Sequence, residues 1–427
     1  MQRKPYIVGD MVRGEHFYGR TALLNTVLNG TERAVWVVGA RRSGKTSLLY
    51  RLEEMSNARG EVAFCTSMDA SNTIADFVEW WIDDLDENDE RLTRLGLSVA
   101  DLRGKGLHDI FRMLNRNARE RKLHVLLLLD EGEALVTIAQ NEGDAFLKNT
   151  RRVLERCEAL RVVFAATKGL AALDDVCRAW DTTTFLDAVT LRYLEPMPPD
   201  ESAALIRQTQ SAAPLTVDDT IVNAIIQTTC GHPYLTAWLC SRVWDDNTLR
   251  VPTVEDLTLD TTLIDLFQQD YRYLAEIERR ILRALADVQM IDAETLTAII
   301  GQQGATLPAV QLRYLMTTLA QLGYVRTVDG KYAAGNQLLQ HWLQFHDIAE
   351  SDPLMTDRAA VDQADPEQQR VSALITANKR RLAVREEQQA TMGINTPPEI
   401  VNEIKDIRAT LSQLEGELAG LRMGRSV

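Results

Sequence analysis

The octet GARRSGKT at 39–46 lies between the wholly apolar run AVWVV (34–38) and a segment, SLLYRLEEM, whose apolar residues recur at helical spacing. A strand, a glycine-containing turn and a helix in that order leave the chain few alternatives. The glycines let the backbone curl until successive N–H groups converge, and the helix that follows adds the positive end of its dipole, so the turn is built to cradle phosphate. Gly39, Arg42, Ser43, Gly44, Lys45, Thr46 and Ser47 are the expected contacts. Lys45 should reach the β- and γ-phosphates and Thr46 should ligate Mg²⁺. For Arg41 and Arg42 a solvated pair is an equal alternative.

Four further apolar runs follow, at 61–66, 123–129 (LHVLLLL), 161–166 and 188–191, separated by longer helix-compatible segments. Strands alternating with helices imply a parallel sheet covered on both faces, with a core spanning 31–195 behind an N-terminal segment 1–30. The run LLLLDE at 126–131 delivers two carboxylates at a strand C-terminus, where open parallel sheets bind ligands. Asp130 is expected to hold Mg²⁺ through water, and Glu131 to orient or deprotonate the attacking water. A DE pair after a strand can also be a helix cap, but its place about 85 residues beyond a phosphate loop favours the chemical reading. RVVFAATKG ends in Thr167 and Lys168. A polar residue there reads the γ-phosphate or the lytic water, or else makes a plain strand-end turn. The expected fold is therefore an α/β P-loop NTPase core using ATP or ADP with Mg²⁺.

Beyond the core, Pro196, Pro198 and Pro199 mark a boundary, and PDES opens a helical stretch with suitable N-terminal chemistry. The expected plan is a helical lid at 196–260 and a winged helix at 261–350. The second rests on helices followed by LGYVRTVDGKYAAG, which reads as a hairpin around Asp329-Gly330. A polar linker at 351–366 contains two Asp-Pro steps, and a helical tail covers 367–427. In that tail Ile400, Ile404, Ile407, Leu411, Leu414, Leu418 and Leu421 alternate spacings of four and three, a heptad seam suited to a helical hairpin or coiled coil. Thr396 can cap its helix, and Pro397 and Pro398 fit at its start.

A chain of 427 residues exceeds what one core usually serves. Its net charge of −14 disfavours wholesale binding to a phosphate backbone, although residues 1–60 carry ten Lys or Arg against five acids. Residues 69–90 hold nine acids and no Lys or Arg, with Phe77, Trp80 and Trp81 interspersed, and read as an amphipathic helix and loop with a solvated acidic face. Five scattered cysteines without a CxxC pair suit reduced, buried thiols. The apolar runs fall short of the roughly 20 residues that span a bilayer, and no signal peptide opens the sequence, so a cytoplasmic location without membrane contact is expected.

With these motifs in hand, the chain resembles the STAND class of AAA-like ATPases, the signal-transduction ATPases with numerous domains, and among them the prokaryotic ones with a helical lid and a winged helix. The resemblance covers about residues 5–345 and is carried by PYIVGDMVRGEHFYGR, GARRSGKTSLL, LLLLDEGEAL, VTLRYLEPMPPDES, GHPYLTAWLC and NQLLQHWL. It implies that Phe17, Tyr18, Gly19 and Arg20 pack over the adenine, and that Gly231 and Pro233 bring the lid to the same base. Read alone, Gly231-His232-Pro233 is a helix terminator. The glutamate that often follows the arginine is Thr21 here, and the arginine that related switches place after the fourth strand is replaced by Thr167 and Lys168.

The resemblance implies a switch that is closed with ADP, opens and associates with ATP and hydrolyses slowly; the tail TPPEIVNEIKDIRATLSQLE separately resembles tails of bacterial conflict-system proteins, which points to bacterial defence or signalling. Its sensor or effector is expected in trans, because repeats of ~34 or ~40 residues are missing. A nucleotide-dependent homo-oligomer is expected. The alternative is a DNA-associated ATPase of the replication-initiator or transposition-regulator type. Against it, residues 278–345 hold six Lys or Arg and five acids, and LPAVQLRYLMTTLAQLG offers Arg313 alone for a groove.

Overall fold

The computed structural model describes residues 4–69, 71–86, 89–173, 185–245, 247–302 and 307–345, with Lys405 and Arg408 beyond them. The chain divides into the units Met1–His346 and Asp347–Val427. The linker at 351–366 and the heptad seam lie outside the described residues, although Lys405 and Arg408 are helical.

Five parallel strands form the central sheet: β1 (Ala34–Val38), β2 (Val62–Ser67), β3 (Val125–Asp130), β4 (Leu160–Ala166) and β5 (Thr190–Tyr193), in the order β2-β3-β4-β1-β5. Every residue of β1 and β3 is buried, as expected of strands covered on both sides. The helices of this part are α1 (Thr21–Asn29), α2 (Lys45–Ala58), α3 (Ile74–Asp83), α4 (Glu90–Arg94), α5 (Val99–Leu102), α6 (Leu107–Arg121), α7 (Ala134–Glu142) and α8 (Asp144–Arg156).

Side chains alternate across the sheet. Val35, Val37, Leu126, Leu128, Val163 and Ala165 meet Leu24, Val27 and Leu28 of α1 and Leu48, Leu49 and Leu52 of α2 in one core. Helices α6 and α8 pack on β3 and β4, and Trp81 of α3 meets Phe64 of β2 edge-on. Helix α3 is the amphipathic element inside the acidic stretch. Thr73 and Asp76 close a capping box at its start, Phe77 and Trp81 stack within the protein, and Trp80 remains exposed.

The next three helices are α9 (Pro199–Arg207), α10 (Asp219–Thr229) and α11 (Pro233–Arg242), followed by the short pair β6 (Trp244–Asp245) and β7 (Thr248–Leu249). Pro199 and Pro233 both occupy first-turn positions, where the missing N–H costs nothing. Gly231 has φ 78°, and a Cβ on it would lie 2.1 Å from Met197 O. Only glycine permits this approach, which is sealed by Met197 N donating to Gly231 O at 2.8 Å.

The remaining elements are α12 (Thr261–Arg272), α13 (Glu276–Ala286), α14 (Ala293–Gln302), α15 (Ala309–Gln321), the antiparallel pair β8 (Val325–Val328) and β9 (Lys331–Ala334), and α16 (Gln337–Phe345). Asp329 and Gly330 both take positive φ, as a two-residue hairpin turn of this twist requires. Ile291 pairs with Tyr332 as a one-residue third strand. Cys157 and Cys240 are buried, Cys65 and Cys230 are partly so, and all four are free thiols. Among the described residues no helix is long and apolar enough to cross a membrane.

Candidate nucleotide site

The strand order sets the site. Because β4 lies between β1 and β3, the C-terminal ends of these three strands open side by side, and Gly39, Asp130 and Thr167 leave the sheet along one edge. Gly39 N donates to Ala166 O at 3.2 Å and Gly132 N to Ala165 O at 3.0 Å, which ties the loops after β1 and β3 to the end of β4.

Residues 39–44 turn the chain from β1 into α2. Gly44, at φ 97°, sits in a region that side chains avoid and precedes the first helical residue. Lys45 is buried, with Nζ donating to Gly39 O at 3.2 Å and Ala40 O at 3.0 Å, so the ammonium lies over the floor of the loop. Thr46 Oγ1 donates to Asp130 Oδ2 at 2.6 Å. A hydroxyl and a carboxylate in contact at the mouth of a phosphate loop are hard oxygen donors, and this pair fits Mg²⁺. Ser43 Oγ is buried with no partner among the described residues, whereas Ser47 Oγ accepts from Val12 N at 3.1 Å and thereby holds the N-terminal segment.

The two loop arginines take a course that neither reading of the sequence contained. The Arg42 guanidinium lies 4.5 Å from the ring centroid of Tyr234 in α11. Arg41 Nη2 donates to Tyr273 Oη at 3.1 Å, with its guanidinium 5.0 Å from that ring. Each arginine joins the phosphate loop to a later part of the chain.

Glu131 follows Asp130 with φ 52°, and its N–H donates to Asp130 Oδ1 at 3.0 Å. The residue is exposed and lines the cleft. Desolvation against the cleft, and then the nearby charges of Glu133 and Asp130, push its pKa up, which suits a group that must take a proton. Glu133 is a residue the sequence reading passed over. Its Oε1 accepts from Thr167 N at 2.5 Å, and its Oε2 is buried without a partner among the described residues. Thr167 Oγ1 accepts from Gly169 N at 3.2 Å, so the residue makes a strand-end turn while also lining the cavity. Lys168 pairs with Glu278 of α13.

A cavity of about 550 Å³ extends from this edge, within the range of small-ligand sites. Its far wall joins the N-terminal segment (Tyr6, Ile7, Tyr18) to the helices after the core (Met197, Leu205, Ala237). Phe17 enters the main core and Tyr18 packs on Met197 and Leu205. Arg20, only 9% exposed and at φ 63°, donates from Nη2 to Ser43 O at 2.9 Å and from Nη1 to Glu195 O. Burial lowers its pKa to about 10 against the pull of Glu201 and Glu195, and it remains a cation.

The acidic residue absent at position 21 is supplied from elsewhere. Glu201 in the first turn of α9 accepts from Arg20 N at 2.8 Å and Thr21 N at 3.3 Å, capping α1 from outside. Pro233 lines the cavity beside the phosphate loop: a Cβ on Gly44 would lie 4.0 Å from its Cγ. His232 Nδ1 accepts from Leu235 N, and burial with the cations Arg20 and Lys45 holds its pKa down to about 4, so the imidazole is neutral.

Helix α12 closes the phosphate end. Asp270 is buried, accepts from Arg41 N at 3.2 Å and also bonds the Tyr324 hydroxyl. Burial pushes its carboxyl up to about 6, opposed by the Arg41 amide, the Lys45 charge and the Tyr324 bond. Nothing local in the sequence marks Asp270 or Glu278, and Glu201 reads locally only as a first-turn helix acid, because each acts on a segment more than 100 residues away.

Comparison with known proteins follows the same lines. A sequence profile for the family described as Novel STAND NTPase 1 matches residues 11–290. No curated protein matches significantly. Among solved structures, the Walker-type ATPase of Pyrococcus abyssi is 16% identical with a TM-score of 0.56 over 78% of this chain and 97% of that one, a likeness of fold. The Pyrococcus horikoshii STAND protein with a tetratricopeptide repeat sensor is 16% identical with a TM-score of 0.33, covering 99% of this chain and 58% of that one. The ORC2 protein of Aeropyrum pernix is 15% identical with a TM-score of 0.37 over 79% and 95%.

Proposed function

The chain belongs to the novel STAND NTPase 1 family, and we propose that it works as an ATP/ADP-controlled switch whose hydrolysis is slow and regulatory. One observation carries this reading: the helices after the lid hold the phosphate loop itself. Asp270 takes the Arg41 amide, Tyr273 takes the Arg41 guanidinium, and Glu278 takes Lys168 beside Thr167. A nucleotide that changes the needs of these loop groups changes the hold of α12 and α13, which couples chemistry to shape.

In hydrolysis Lys45 and the loop amides bind the β- and γ-phosphates, and Glu131 takes a proton from the water whose oxygen attacks the γ-phosphorus. The bond to the β–γ bridging oxygen breaks and its electron pair leaves with ADP. Thr167, fixed through its amide by Glu133, orients the γ-phosphate or the water. Thr46 and Asp130 would hold Mg²⁺, which neutralises charge on the phosphates when bound.

We assign the output to protein partners, either a sensor or effector in trans or further copies of this chain, acting in the cytoplasm in bacterial defence or signalling. The DNA-associated alternative finds little support on α15, the helix that would enter a groove. Its exposed face presents Val310 (82% exposed) and Tyr314 (69%) beside Arg313. A groove reader needs several basic contacts.

The test is Glu278→Gln, which keeps an acceptor for Ala275 N, the capping contact it makes at 2.8 Å, but removes the charge facing Lys168. Release of fluorescent ADP in a chase should speed up about tenfold, corresponding to ~1.4 kcal/mol lost from the clamp. Glu278 does not line the cavity, so an unchanged release rate would reject α13 as part of a nucleotide gate.

A further inference from the structure

Gln208 ends helix α9 in the left-handed region at φ 50° and ψ 46°, a position that glycine or asparagine usually fills. Its side chain does not turn to solvent. The residue is 2% exposed and lines the cavity on the wall with Tyr18, Met197 and Leu205, away from the phosphate loop. Its amide nitrogen Nε2 donates to Leu205 O at 2.7 Å. A main-chain carbonyl can only accept, so this bond fixes which end of the amide is which. The carbonyl Oε1 takes no hydrogen bond among the described residues, and the residue lines the cavity.

The other polar groups of this wall are engaged. Tyr6 Oη donates to Ile206 O at 2.6 Å, and Tyr18 Oη accepts from Gln210 N at 3.3 Å. An acceptor held in one orientation at the cavity surface, on a wall whose other polar groups are engaged, is placed to take a donor from a ligand in exchange for water.

We propose that Gln208 sets the base preference of the site by accepting a hydrogen bond from the exocyclic 6-amino group of adenine. The inference rests on the ATP/ADP reading above and adds the residue that selects the base. Adenine offers an amino donor at position 6, whereas guanine offers an oxygen acceptor there. Hypoxanthine likewise carries an oxygen at that position. Facing Gln208 Oε1, that oxygen leaves two acceptors opposed and both unpaired, and a site built to bond one group rejects the analogue that lacks it. Neither Lys45 nor the loop amides can make this distinction, because they meet only phosphate.

The experiment is calorimetric titration of the full chain with ADP, IDP and GDP, which share their phosphates and cannot be exhausted by hydrolysis at the γ-position. Wild type should bind ADP about tenfold or more tightly than IDP or GDP, the effect of one buried hydrogen bond. Gln208→Met, of similar length and without a polar end, should weaken ADP to the level of IDP while leaving IDP nearly unchanged. A merely structural role would weaken all three diphosphates together. The wild-type ratio needs no substitution, so a variant that fails to fold leaves the test intact. Equal wild-type affinity for ADP and IDP overturns the proposal, as does a Gln208→Met or Gln208→Leu protein that keeps the full preference. If wild type binds none of the three, the nucleotide reading itself falls, an outcome distinct from binding without discrimination.

Discussion

Lys45→Ala is expected to weaken ADP and ATP binding by about 100-fold or more, since in the proposed site it removes a charge-assisted contact to each of two phosphate groups. The same ammonium bridges Gly39 O and Ala40 O, so the substitution also loosens the floor of the loop. Calorimetry on the variant checks this, with circular dichroism to show that the sheet persists. Near wild-type affinity would place the phosphates elsewhere and dismantle the site as described.

Glu131→Gln should separate binding from turnover. The amide keeps the shape of the side chain but cannot take a proton, so phosphate release should fall by about 10²- to 10³-fold while ATP affinity stays within a few-fold of wild type. The pKa of Glu131 is raised, first by desolvation against the cleft and then by the charges of Glu133 and Asp130, a direction that favours proton uptake. Single-turnover hydrolysis with saturating ATP measures the step directly. Equal rates for the two proteins would reject Glu131 as the base.

Much of this site was legible in the sequence because its signals are local. The phosphate loop and its helix lie within about twenty residues, and the pure apolar runs of β1 and β3 admit little besides buried parallel strands. The Asp329-Gly330 hairpin was equally plain, since its backbone needs two positive φ angles. The start of β5 was placed two residues early, where Leu186–Ala188 forms a short 3-10 turn before Thr190.

Long-range supply is what the sequence concealed. Thr21 stands where a glutamate is often found, and Glu201 brings a carboxylate to the start of α1 from 181 residues away. Arg41 and Arg42 were read only against phosphate or water, because Tyr273 and Tyr234 approach them only once the chain has folded back. Gln208 carried no signal at all, since a glutamine at a helix end is usually solvated and its burial depends on the packing of Tyr18, Met197 and Leu205. Groups of this kind are set by tertiary packing rather than by periodicity.

The central claim is that nucleotide controls the grip of α12 and α13 on the phosphate loop. Hydrogen exchange read by mass spectrometry on the full chain tests it most directly, because local opening appears as faster amide exchange in the element that opens. With saturating Mg-ADP, the amides of Thr261–Ala286 should exchange slowly. With a slowly hydrolysed ATP analogue at saturation they should exchange faster, while residues 39–46 stay protected by the bound phosphates. Equal protection of Thr261–Ala286 in both nucleotide states would contradict the account.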